Sequence, residues 1–122
     1  MKTPGPDHPI TLTPSPRRLR ARAQGEIIAD SADALMLKEA SYKEVAYFPP
    51  ADVRTEILEK SALKTTCPYK GEASYYTVLL DGRRLENAVW SYEDPYPAMA
   101  ALRGRMAFYP DRVEVAAADG EA

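Results

Sequence analysis

Apolar and polar residues alternate with period two over several short stretches, the pattern of half-buried β-strands. Arg18-Leu19-Arg20-Ala21-Arg22-Ala23 alternates basic and apolar, so the basic run reads as a strand's wet face, with a phosphate-binding stripe as the alternative. Gln24-Gly25 offers a tight turn into Glu26-Ile27-Ile28-Ala29-Asp30. Further strands are predicted over Ala34 to Glu39 and Glu44 to Phe48. Pro49-Pro50 must stop the second of these, because proline donates nothing to a ladder.

The pattern changes at Asp52-Val53-Arg54-Thr55-Glu56-Ile57-Leu58-Glu59-Lys60, which predicts a helix of about two turns. Asp52 suits its N-cap, Glu56 its first turn, and Val53, Ile57 and Leu58 share a face. Cys67-Pro68-Tyr69-Lys70 then fits a turn with proline at its second position, and Gly71 can take the positive φ that follows. Ala73 to Leu80 reads as a strand, Asp81-Gly82 as a hairpin turn and Arg84 to Tyr92 as the return strand. With a two-residue loop Leu80 faces Arg83, which sets Trp90 opposite Ala73 and Tyr92 opposite Gly71. Pro97 to Leu102 predicts a second short helix closed by Gly104, and Arg105 to Tyr109 with Arg112 to Ala116 predicts a last hairpin around Pro110-Asp111. Hairpins without βαβ alternation favour antiparallel pairing.

Residues 1–16 carry five prolines and read as an extended tail, which Ile10 and Leu12 could dock on the domain; the only histidine, His8, lies there. Residues 17–116 form the predicted domain, and 117–122, small and acidic, a frayed end. At 122 residues the chain has room for one core and needs no disulfide or metal staple. A net charge of −2 gives no reason to expect nucleic acid or an anionic membrane as partner, and no apolar run approaches a membrane span. One cysteine permits no internal disulfide, which fits a reducing cytoplasm.

Several short motifs follow one another along the chain: Ile28-Ala29-Asp30-Ser31, Leu37-Lys38-Glu39, Tyr47-Phe48-Pro49 with Asp52-Val53, Cys67-Pro68-Tyr69-Lys70-Gly71 with Ala73 and Tyr75-Tyr76, Trp90-Ser91-Tyr92 with Pro95, and Gly104 with Ala107-Phe108-Tyr109. In them, from about His8 to Val115, the chain resembles a bacterial family called domain of unknown function 427. The resemblance implies a mainly β, single β-tent-like domain of antiparallel strands and hairpins, here with two short helices. That architecture is shared by B-class methionine-sulfoxide reductases and some zinc-binding accessory proteins. It implies no activity, since the family has none established.

The residue inventory narrows the chemistry. A structural zinc site needs four ligands, usually Cys or His, and the chain holds one of each, so no metal and no cofactor is expected. A Cys–His triad needs His8 to reach Cys67, which nothing in the spacing suggests. Two catalytic candidates remain, Cys67 and Lys70. Lys70, three residues on, is positioned to stabilise a Cys67 thiolate, although a lone thiol needs an external partner to complete a redox cycle. The plain alternative is that Cys67 is a small buried residue filling a corner and Lys70 a surface turn lysine.

The favoured expectation is a cytoplasmic binding or sensing module for a small polar or anionic metabolite, with Tyr47, Cys67, Tyr69, Lys70, Trp90 and Glu39 around the turn. Lys70 and turn N–H groups would anchor an anion. Glu39 stands in an otherwise apolar strand pattern, as a polar partner in the site or a salt bridge to Lys70. The rivals are a thiol-dependent enzyme and a homodimer with the aromatic patch at its interface. The chain is expected to be a monomer or a homodimer.

Overall fold

The computed structural model describes residues 1–118. Among them ten strands form three antiparallel sheets, so the expected mainly β class holds. The strands are β1 (Ile10–Pro14), β2 (Leu19–Ala23), β3 (Glu26–Ser31), β4 (Leu35–Glu39), β5 (Val45–Tyr47), β6 (Leu58–Cys67), β7 (Gly71–Leu80), β8 (Arg83–Ser91), β9 (Met106–Phe108) and β10 (Glu114–Ala117). Their orders are β1-β4-β5, β10-β2-β3 and β6-β7-β8-β9. No helix among the described residues is long and apolar enough to cross a membrane.

Short links hold the sheets together. Phe48, just past β5, exchanges two backbone hydrogen bonds of 2.8 Å with Met106 of β9. The Arg54 N–H donates to Ile28 O of β3 at 2.9 Å. Side chains alternate in direction along an extended chain, so Tyr47 and Phe48 enter different clusters. Phe48 joins Ile28, Val78, Val89, Phe108 and Val113 in the larger core. Tyr47 joins Leu37, Ala73, Tyr75, Tyr92 and Leu102 in a smaller one. That second cluster is rich in phenols, and it forms the floor of the site.

The helix expected over Asp52 to Lys60 does not form. One 3₁₀ turn spans Pro50–Asp52, another Thr55–Ile57, and the chain then extends as β6. A two-turn helix contributes too little by itself to outweigh a ladder with β7, into which Leu58, Glu59 and Lys60 are paired. Asp52 makes no capping hydrogen bond; its carboxylate accepts from Ser31 Oγ at 2.6 Å. Pro97–Leu102 is likewise 3₁₀, interrupted at Met99, and Gly104 follows with φ +73°.

The last hairpin is also different. β9 pairs with β8 while β10 crosses to β2, so the two strands belong to different sheets. Val113, 1% exposed, anchors the connection in the larger core, which sends the chain across rather than back.

The β7–β8 hairpin does have the two-residue turn at Asp81-Gly82, with Leu80 opposite Arg83. Beyond Val78 and Leu85, however, the register slips, and Trp90 stands opposite Tyr75 rather than Ala73. The two additional residues form a bulge around Asn87, which takes φ +52°. Thr77 bridges it: its hydroxyl oxygen accepts the Asn87 N–H at 3.2 Å and its O–H donates to Glu86 at 3.3 Å. A slip of two keeps the period of the strand, so Trp90 stays on the face where it was expected.

Both ends of the described residues are engaged. Within residues 1–16, read as an extended tail, β1 pairs with β4 and sets Ile10 opposite Glu39. At the other end Ala117 pairs with Leu19, and the Ala118 N–H donates to Arg18 O. The remainder of the end expected to fray, residues 119–122, lies outside the described residues.

Candidate functional site

The site begins at the turn between β6 and β7. Cys67 and Gly71 face each other across the ladder, and Pro68, Tyr69 and Lys70 form the loop. Two segments pin it: the Lys2 N–H donates to Pro68 O at 2.7 Å, and the Tyr96 N–H donates to Lys70 O at 3.0 Å. Gly71 has φ +116°, and a Cβ there would stand 3.5 Å from the Asp94 carbonyl oxygen and the Tyr96 nitrogen. Glycine therefore lets the turn lie against the 94–96 segment without backbone strain.

Pinned this way, Lys70 points inward and is only 6% exposed. Its ammonium donates to Glu39 Oε1 at 2.5 Å and lies 5.9 Å from the centre of the Tyr92 ring. Glu39 is the last residue of β4, and its other oxygen, Oε2, is 2.7 Å from His8 Nε2. His8 stacks on Tyr69 with ring centres 4.1 Å apart and planes within 7°. A chain of contacts thus runs Tyr69, His8, Glu39, Lys70, Tyr92.

Burial alone would raise the Glu39 carboxyl, but hydrogen bonds from Lys70 and His8 outweigh it and hold the group below its ordinary 4.5. The sign of the pH effect follows. A depressed folded pKa contributes stability that is present above the unfolded value and is lost as pH falls through the folded one. Urea midpoints measured from pH 7 down to pH 3 should therefore fall more steeply in the wild type than in Glu39→Gln; equal slopes would contradict the pairing.

Beside this charged pair lies a cavity of about 310 Å³. Its walls include Lys70, Glu39, Tyr47, Trp90, Tyr92 and Tyr75. The exposed Tyr42 and Lys43 line it too. The Trp90 indole N–H donates to the Tyr47 phenol oxygen at 3.1 Å, with the rings perpendicular. The Tyr75 phenol shares a 2.8 Å hydrogen bond with Thr65 Oγ1. Trp90 also meets Tyr109 at 4.5 Å between ring centres. Burial pushes the Tyr47 and Tyr92 phenols well above the ordinary tyrosine value, so both keep their protons across the physiological range.

Of the six residues expected around a ligand, Tyr47, Lys70, Trp90 and Glu39 line this cavity, while Cys67 and Tyr69 do not. Cys67 is partly exposed and packs against the smaller core, and Tyr69 lies outside under His8. His8 itself was set aside as a tail residue. Its place follows from β1: Ile10 pairs with Glu39, and a residue two positions before Ile10 projects from the same face. Tyr75 of β7 and Tyr92, just past β8, line the cavity as well. Among the described residues no group of three or more His, Cys, Asp or Glu is placed to hold a metal ion.

The sequence model of a family described as Domain of unknown function (DUF427) matches residues 11–119. No curated protein matches the chain.

Proposed function

We propose that this chain, which belongs to that family, is a binding or sensing module for a small polar or anionic metabolite. The observation that carries the reading is the Lys70–Glu39 pair, built into the wall of an open cavity whose other walls are mostly phenols and an indole. Burying such a pair adds little net stability, because desolvation cancels most of the attraction. Its place at a concave surface instead suits it to fix the orientation of a ligand. The volume lies at the small end of ligand pockets, which suits a metabolite rather than a polymer.

A thiol enzyme has less geometric support, since Cys67 stands outside the cavity lining. The lone thiol and the family resemblance favour a bacterial cytoplasm as the place of action.

Thermal unfolding against a set of small polar and anionic metabolites tests the reading. A ligand at a hundred times its Kd stabilises by about 2.7 kcal/mol. At least one compound should raise the midpoint in the wild type and lose that effect in Lys70→Met. The reading fails if no compound stabilises, or if the stabilisation is indifferent to Lys70→Met.

A further inference from the structure

The hydrogen-bonding groups left over in the cavity define what a ligand must offer; this step rests on the binding reading above. Tyr92 is 6% exposed and lines the cavity, yet its hydroxyl has no hydrogen-bond partner among the described residues. Tyr47 is 2% exposed; its oxygen accepts from Trp90, but its O–H proton has no acceptor among the described residues. Lys70 gives one N–H to Glu39 and has two more. The nearest carboxylate, Glu39, is already engaged on both oxygens, by Lys70 and by His8. The lining thus offers the ammonium groups of Lys70 and Lys43 and the O–H groups of Tyr92 and Tyr47, from which an incoming acceptor can take hydrogen bonds in place of water.

Charge sets the second condition. Lys70 and Glu39 cancel, and Lys43 adds one positive charge to the lining. One negative charge is thereby matched, whereas a dianion would face the Glu39 carboxylate with its second charge uncompensated. The third condition is shape. The lining also includes Trp90, Tyr75, Tyr109, Leu37 and Val45, which favour a flat apolar body.

We propose that the cavity binds a small planar monocarboxylate, its oxygens accepting from Tyr92, Tyr47 and Lys70 and its ring resting against Trp90. His8 acts at one remove as a positioning residue, holding Glu39 Oε2 so that Oε1 keeps Lys70 in place.

The chain has one tryptophan, so the indole N–H signal of Trp90 in a two-dimensional NMR spectrum is a single unambiguous reporter of the cavity. Benzoate, nicotinate and indole-3-carboxylate are each titrated at pH 7 beside their neutral amides, with phenyl phosphate as the dianion. At least one acid should shift the Trp90 signal and bind about tenfold or more tightly than its amide, the effect of a charge-assisted hydrogen bond. Tyr92→Phe, which keeps the ring and its packing, should erase most of that ratio. The proposal is overturned if amides or phenyl phosphate bind as well as the acids, or if Tyr92→Phe leaves the ratio intact. It is also overturned, with the binding reading left standing, if no acid moves Trp90 but a compound of the wider metabolite set does. If nothing in either set moves Trp90, both fail.

Discussion

Glu39→Gln is expected to lower the unfolding free energy by about 3 kcal/mol, more than most single changes of this size. The loss comes less from the missing attraction than from what remains. The Lys70 side chain is 8% exposed, and the variant leaves it with no carboxylate to compensate its charge. Lys70→Met should cost less, because the Glu39 side chain is more exposed, at 15%, and His8 still reaches Oε2. Combining the two removes both charges together, and the double variant should come within about 1 kcal/mol of the wild type, as when buried ion pairs are replaced by neutral groups. Urea unfolding of the four proteins closes the cycle. Single losses that simply add in the double variant would show that the two groups do not act as a pair.

Phe48→Ala should cost about 3–5 kcal/mol. Phe48 is fully buried, meets Phe108 edge to face at 5.4 Å between ring centres, and carries the backbone pair that joins β5 to β9. Removing the ring opens a cavity where two sheets meet, and the backbone pair limits how far they can collapse into it. Denaturant unfolding measures the loss. A change below about 1 kcal/mol would mean that the larger core does not depend on this contact. The residue before it differs in place, because Tyr47 packs in the smaller cluster and lines the cavity.

Much of the sheet structure was legible from alternation. Leu19 to Ala23, Leu35 to Glu39 and the Asp81-Gly82 turn follow directly from period two and turn chemistry. Two errors share a physical origin. Val53, Ile57 and Leu58 have helical spacing, but Leu58 gains a ladder partner in Val78 that no nine-residue window contains. Arg112 to Ala116 lies near Met106 to Phe108 in sequence, yet β2 supplies the free edge that it joins. Both outcomes are decided by partners distant in the chain.

At the site, Glu39 was readable as a charge in an apolar run, and Lys70 as its partner. Cys67 is close to Lys70 in sequence, but of the two only Lys70 lines the cavity. His8 lost weight because prolines surround it, although β1 carries it to Glu39. The bulge at Asn87 moved Trp90 by two positions, which preserved its face and hence its place in the cavity.

The hollow beside Lys70 and Glu39 is the proposed ligand site. The most direct measurement is backbone and indole chemical-shift mapping of the full chain against pooled small polar and anionic metabolites. An active pool should shift the Trp90 indole N–H together with the amides of Glu39, Tyr47, Lys70 and Tyr92, and Lys70→Met should abolish the pattern. Shifts that instead cluster away from these residues, or pools that shift none of them, would contradict it.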